Sequence, residues 1–154
     1  MLDELRELYQ EIILDHGRHP RNRRHPDDFN REALGKNPLC GDALVVYVKV
    51  DGDGLVQDCA FMGEGCAISM ASASLMTELV RGKTVPEAEA LMGAFHDLAT
   101  GEADAAPDGL SEDDLDRLAA LSGVRQFPIR VKCATLAWHT LHAAIEGKET
   151  VSTE

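Results

Sequence analysis

Between Ala43 and Leu79 the hydrophobic pattern changes period, and that change restricts the chain to folds that set helices against an antiparallel sheet. Ala43–Val50 reads ALVVYVKV, β-branched and period-two, with Leu44, Val46, Val48 and Val50 on one face. The turn Asp51-Gly52-Asp53-Gly54 is a strong hairpin signal, and Leu55–Met62 returns as the second strand. From Cys66 the repeat lengthens: Ile68, Ala71, Leu75, Met76 and Leu79 predict a helix over 66–81, stopped at Gly82. The Asp-Gly-Asp-Gly run lacks the later ligands of a calcium loop, so it reads as a tight hairpin.

The flanking segments are mostly helical. Leu2, Leu5, Leu8, Ile12 and Ile13 predict an amphipathic helix over 2–16, ended by the Gly17–Pro20 breaker. Residues 20–38 hold three prolines and many polar groups and read as an irregular surface segment. Further helices are predicted over 86–99, with Pro86 near the first position, over 111–121 behind a Ser111 cap, and over 131–146 before Gly147. The tail 148–154 is expected to fray. The class is α+β: a small antiparallel sheet of about three strands packed against helices, in a single domain over 1–154.

No apolar stretch approaches the roughly 18–20 residues that a bilayer span needs. The N-terminus is acidic and amphipathic, unlike a secretory signal, so a cytoplasmic location is expected and no membrane partner. Fifteen Lys and Arg against 27 Asp and Glu leave a net charge of −12, which argues against nucleic acid, since phosphate binding needs clustered cations. From Glu87 to Asp116 there are ten acidic residues and no Lys or Arg, the pattern of a solvated face. Arg18, Arg21, Arg23 and Arg24 form the opposite cluster, suited to an acidic protein partner.

The chemistry resides in the cysteines at 40, 59, 66 and 133. A reducing compartment would not keep disulfides, and no CxxC pair exists, so neither a zinc ribbon nor a thioredoxin-type motif is present. Cys40 lies in the turn NPLCGD, with the Asp42 carboxylate two residues away; Cys66 lies in GEGC, between strand and helix. Cys133 lies in RVKC, expected in the first turn of the last helix. Helix starts present unpaired N–H groups that favour thiolates. Three such thiols plus one carboxylate, Cys40, Asp42, Cys66 and Cys133, make a full tetrahedral set for zinc. Cys59, inside the second strand beside Ala60 and Phe61, reads as packing.

Other groups carry less. His139 and His142 share the last helix with Cys133 but lie six and nine positions on, so they are not natural co-ligands. His16, His19 and His25 could join a metal or a partner contact, with no spacing to favour either, and His96 reads as an exposed side chain. Met70, Met76 and Met92 are core fillers. No nucleophile elbow and no phosphate-cradling glycine loop is present.

The motifs NPLCGD (37–42), GEGCAISMASASLM (63–76) and FPIRVKCATLAWH (127–139), with DHGRHPRN (15–22), resemble the SufU branch of the IscU/NifU-type iron–sulfur assembly family. Scaffold-type IscU proteins usually carry a histidine directly before the third cysteine, where this chain has Lys132. They also lack an insert of roughly twenty residues, whereas Cys66 and Cys133 here stand 67 positions apart, around an acidic helical segment at about 83–122.

The resemblance implies zinc on Cys40, Asp42, Cys66 and Cys133, and sulfur accepted from a PLP-dependent cysteine desulfurase of the SufS type, the PLP belonging to that partner. Downstream Suf scaffold proteins would take the sulfur onward. The family mechanism is ligand exchange: a partner histidine enters the zinc shell, and Cys40 leaves it to attack the persulfide. Cys40 is the natural choice because its turn can move, whereas Cys66 and Cys133 are tied to helices. Zinc does no redox chemistry and holds thiols deprotonated; Asp42, an oxygen donor, holds it less softly than sulfur. Arg130 and Lys132 could offset the negative charge of such a site. The competing readings are a scaffold that assembles a [2Fe–2S] cluster on the same ligands, and a structural zinc domain that only docks.

Overall fold

The computed structural model describes residues 2–37, 41–100, 102, 110–126, 128–147 and 150–152. The elements run α1 (Leu2–Arg18), β1 (Arg31–Asn37), β2 (Asp42–Val50), β3 (Val56–Glu64), α2 (Ala67–Val80), α3 (Val85–Thr100), α4 (Glu112–Ser122), a 3-10 turn (Gly123–Gln126), α5 (Pro128–Glu146) and β4 (Thr150–Ser152). The sheet order is β3-β2-β1-β4. β1, β2 and β3 pair antiparallel, giving the expected number of strands, with Val46 opposite both Ala33 and Phe61.

The period-two pattern of β2 is realised: Leu44, Val46 and Val48 are fully buried. The hairpin closes around the Asp51 side chain, whose Oδ1 accepts from the N–H groups of Asp53 and Leu55, each at 2.9 Å, while Gly54 takes φ +79°. α5 crosses the sheet over β1 and β2, α2 packs beside it, and α1, α3 and α4 surround this pair. α2 is buried on nearly all sides, and its hydroxyls are satisfied by neighbours. Ser72 donates to the Ala134 carbonyl at 2.5 Å and accepts from Trp138 Nε1 at 3.1 Å.

Two expectations change. The irregular reading of 20–38 missed β1, whose inward residues Ala33, Gly35 and Asn37 are small or polar. Gly35 shows why: a Cβ there would lie 1.9 Å from Thr140 Oγ1 of α5, so the helix lies too close for an apolar side chain. Thr150–Ser152, expected to fray, pairs in parallel with β1.

Three members of the arginine cluster expected to suit an acidic partner, Arg21, Arg23 and Arg24, also engage their own chain. Arg21 pairs with Asp15 at 2.5 Å and Glu78 at 3.8 Å, Arg24 with Asp58 at 2.6 Å, and Arg23 donates to the Gly63 carbonyl at 2.7 Å. These arginines tie the segment after α1 to α2 and β3.

The acidic segment is the expected α3 and α4. Thr84 and Glu87 form a reciprocal capping box for α3, and Ser111 Oγ caps α4 by accepting from the Asp114 N–H at 3.2 Å.

Candidate metal centre

The site forms where β2 begins, β3 ends and α2 starts. Register places Ala43 opposite Glu64, so Asp42 and the Gly65-Cys66 step lie side by side although 24 positions separate Asp42 from Cys66. Gly63 makes this closure possible. Its φ is +134°, and a Cβ there would meet the Ala43 carbonyl oxygen at 2.2 Å. Gly65 leaves room for the carboxylate, because its own Cβ would lie 2.9 Å from Asp42 Oδ1.

Cys66 is the N-cap of α2, with extended backbone and a thiol that makes no capping bond. Its N–H donates to Asp42 Oδ1 at 3.0 Å, and its Sγ lies 3.9 Å from Asp42 Oδ2. Cys133 arrives from α5. Asp42, Cys66 and Cys133 each offer a donor atom, and the three atoms lie within 4.8 Å of one another. Asp42 and Cys133 are buried and Cys66 is half-buried, so the cluster opens towards solvent on the Cys66 side.

The residues fit a thiophilic divalent ion. Two sulfurs and a carboxylate oxygen belong to the donor set zinc takes in tetrahedral sites, and among the described residues only neutral groups hold the carboxylate. Cys40 lies outside the described residues. The last residue before that gap, Asn37, pairs in register with Asp42, and Gly41 donates to the Asn37 carbonyl at 2.9 Å.

Cys133 differs from its expected setting. α5 begins at Pro128 rather than near Val131, so Cys133 falls in the second turn, beyond the N–H groups a helix start leaves unpaired. Its place at the site comes from packing: Ser69 of α2 lies 3.1 Å from its carbonyl oxygen. Arg130 and Lys132 are exposed on the first turns of α5. Cys59 is the expected packing residue, fully buried, its thiol pushed up to about 12 by burial.

Among the described residues no histidine joins the cluster. His16 is buried and its Nδ1 lies 2.7 Å from Ser74 Oγ, which also accepts from the Arg21 N–H. Burial, then the neighbouring Arg21, holds its pKa below the ordinary histidine value. His139 and His142 are exposed beside a groove of about 290 Å³ between α3 and α5, and His25 packs on Phe29 and Tyr47. A second group, His96, Asp97 and Glu102, lies at the surface of the acidic segment.

Ser69 and Gly65 were not singled out in the sequence. The signal for Ser69 was its offset: three residues past a helix cap, a polar side chain reaches back over the cap.

Comparison with known proteins agrees with this architecture. Residues 8–134 match the family model described as the NifU-like N terminal domain. The zinc-dependent sulfurtransferase SufU of Bacillus subtilis (strain 168) is 41% identical over 142 residues, covering 92% of each chain. The iron–sulfur cluster assembly scaffold protein IscU of Streptococcus pyogenes serotype M1 is also 41% identical, over 94% of this chain and 87% of its own length. A crystal structure of a nitrogen-fixing NifU-like protein (N-terminal) from Brucella abortus superposes with TM-score 0.79 at 25% identity, covering 92% of this chain and 94% of that one. The predicted fold class and resemblance are both met, and this chain belongs to the NifU-like N-terminal domain family.

Proposed function

We propose that this chain is a zinc-dependent sulfur carrier of iron–sulfur cluster assembly, taking persulfide sulfur from a PLP-dependent cysteine desulfurase of the SufS type in the cytoplasm. The observation that carries the reading is the convergence of Asp42, Cys66 and Cys133 within 4.8 Å at a solvent-facing helix start. Cys40 supplies the fourth donor. Only Gly41 separates it from Asp42 along the chain, which keeps their Cα atoms within about 7 Å. Zinc, when bound, would neutralise the carboxylate and keep the thiols deprotonated without redox chemistry.

Cys40 is the sulfur acceptor. Its thiolate attacks the outer sulfur of the desulfurase persulfide; an S–S bond forms to Cys40 as the partner's S–S bond breaks, and the partner cysteine leaves as a thiolate. No electron acceptor is needed, because one disulfide-type bond replaces another. Cys66 and Cys133, held on α2 and α5, keep the site assembled while Cys40 takes up the sulfur.

The second reading, a scaffold for a [2Fe–2S] cluster on the same ligands, is favoured by one observation: the Streptococcus relative, named a scaffold, is as similar as the Bacillus sulfurtransferase. Metal analysis paired with a desulfurase assay separates them. Sulfur transfer requires colourless protein with one zinc per chain, and desulfurase stimulation that Cys40→Ser abolishes. Brown protein with iron and acid-labile sulfide would establish the scaffold instead. A Cys40→Ser chain that binds zinc and still stimulates would remove Cys40 as acceptor.

A further inference from the structure

Ser69 touches all three described ligand residues at once. Its hydroxyl makes a short hydrogen bond to Asp42 Oδ2, lies 3.1 Å from the Cys133 carbonyl oxygen, and lies 3.6 Å from Cys66 Sγ. The residue is fully buried, so water does not compete for these groups. A hydroxyl has one proton to give, and an ionised carboxylate is a stronger acceptor than a carbonyl.

We infer that Ser69 is a positioning residue of the metal centre: it donates its proton to Asp42 Oδ2 and fixes the carboxylate for coordination. This rests on the metal reading above. With Oδ1 held by the Cys66 N–H and Oδ2 by Ser69, rotation of the carboxylate about its Cβ–Cγ bond is blocked at both oxygens. Each oxygen keeps a further lone pair, so the acid is oriented without being used up. Outer partners of this kind set ligand direction and commonly contribute 10–100-fold to metal affinity. Ser69 also spans from α2 to the α5 backbone at Cys133, so the same side chain sets the spacing between two helices that each bring a thiol.

The molecule contains its own control. Ser72, one turn further along α2, is also fully buried and also reaches an α5 carbonyl, but its hydroxyl donates to that carbonyl, of Ala134, and accepts from Trp138, neither of them a ligand residue. A role confined to fastening α2 to α5 would make the two serines equivalent. The test compares full-length wild type, Ser69→Ala, Ser69→Thr and Ser72→Ala by zinc affinity in chelator competition, by the visible spectrum of the cobalt-loaded protein, and by thermal unfolding of the apoprotein.

Ser69→Ala is expected to weaken zinc binding about 10–100-fold and to alter the cobalt spectrum. Ser69→Thr, which keeps the hydroxyl, restores most of the affinity. Ser72→Ala lowers the apoprotein Tm and leaves zinc affinity within about twofold of wild type. Should the added methyl of Ser69→Thr prevent folding, the contrast between the two alanine variants decides alone. A wild-type affinity retained by Ser69→Ala, or an equal loss in Ser72→Ala, overturns the inference while the metal reading stands. Wild type that takes up no zinc overturns the metal reading and this inference with it.

Discussion

Two carboxylates, Asp42 at the start of β2 and Asp114 in the acidic segment, are buried to a similar degree, with 2% and 7% exposure, yet their surroundings differ in kind. Asp114 is compensated by its own chain: Lys83 Nζ lies at 2.8 Å and Arg117 Nη1 at 3.0 Å, and Arg117 continues to Glu78 at 3.1 Å. Asp42 is held by a backbone N–H and a serine hydroxyl, and among the described residues no Lys or Arg pairs with it. Burying a charge is costly unless a counter-charge accompanies it. Where the chain supplies the cation, the carboxylate fastens helices together. Where the described residues supply only neutral donors and two thiols, the acid is suited to a positive charge from outside the chain. The lesson concerns partners, since burial alone does not separate a structural acid from a ligand.

The sharpest way to break this contrast is to remove each acid in turn. Asp42→Ala should lower zinc affinity by more than about 100-fold, beyond what outer partners contribute. The stability of its apoprotein should stay within about 1 kcal/mol of wild type, because losing an uncompensated charge offsets two lost hydrogen bonds. Chelator competition and denaturant unfolding of the same samples measure both quantities. A large stability loss with zinc binding intact would reverse the assignment.

Asp114→Ala should do the opposite, leaving zinc affinity unchanged and destabilising the fold by about 2 kcal/mol, a Tm drop of about 4–8 °C. That is below the cost of breaking a fully buried pair, because the Lys83 and Arg117 side chains keep 20% and 27% exposure and remain partly solvated. Calorimetry of the apoprotein checks it, and an unchanged Tm would place Asp114 among the solvated acids.

The smallest effect concerns His16, which shares the Glu78 and Arg21 neighbourhood with that ion-pair network. Its folded pKa lies below the unfolded value of about 6.5, so the unfolded chain binds the proton more readily. The stability it contributes is therefore complete above about pH 6.5 and is lost as pH falls from there through the folded pKa. His16→Gln should flatten the dependence of Tm on pH on the acidic side of that value. An identical slope in both proteins would assign the titration to other groups, of which His139, also lowered, first by partial burial and then by His96, is one.

The same comparison explains what was legible beforehand. The solvated reading of the segment from Glu87 to Asp116 holds for Glu87, Glu89, Glu112, Asp113 and Asp116, which are exposed, and fails at Asp114. Its cations, Lys83 and Arg117, lie on either side of the run of acids, so a charge count along the chain could not pair them. Asp42 and Cys66 could be placed together through the motifs and the turn residues around them, and their donor atoms lie within 4.8 Å of each other. β1 was hidden because its inward positions carry Ala33, Gly35 and Asn37, chosen by the close approach of α5 rather than by hydrophobicity. Ser69 had only its offset from Cys66 to set it apart from the other buried hydroxyl residues of that helix, Ser72, Ser74 and Thr77.

Local pattern alone determined the hairpin, the helices, the α+β class and the strand-to-helix junction that carries Cys66, since each follows from side-chain period, turn chemistry and capping over a few neighbouring residues. Tertiary structure decided which acid keeps its own cation, which serine touches the ligands, and how Cys133 reaches Asp42 across 91 positions of chain. Those outcomes depend on distances between elements remote in sequence, and such distances are set only when the helices close onto the sheet.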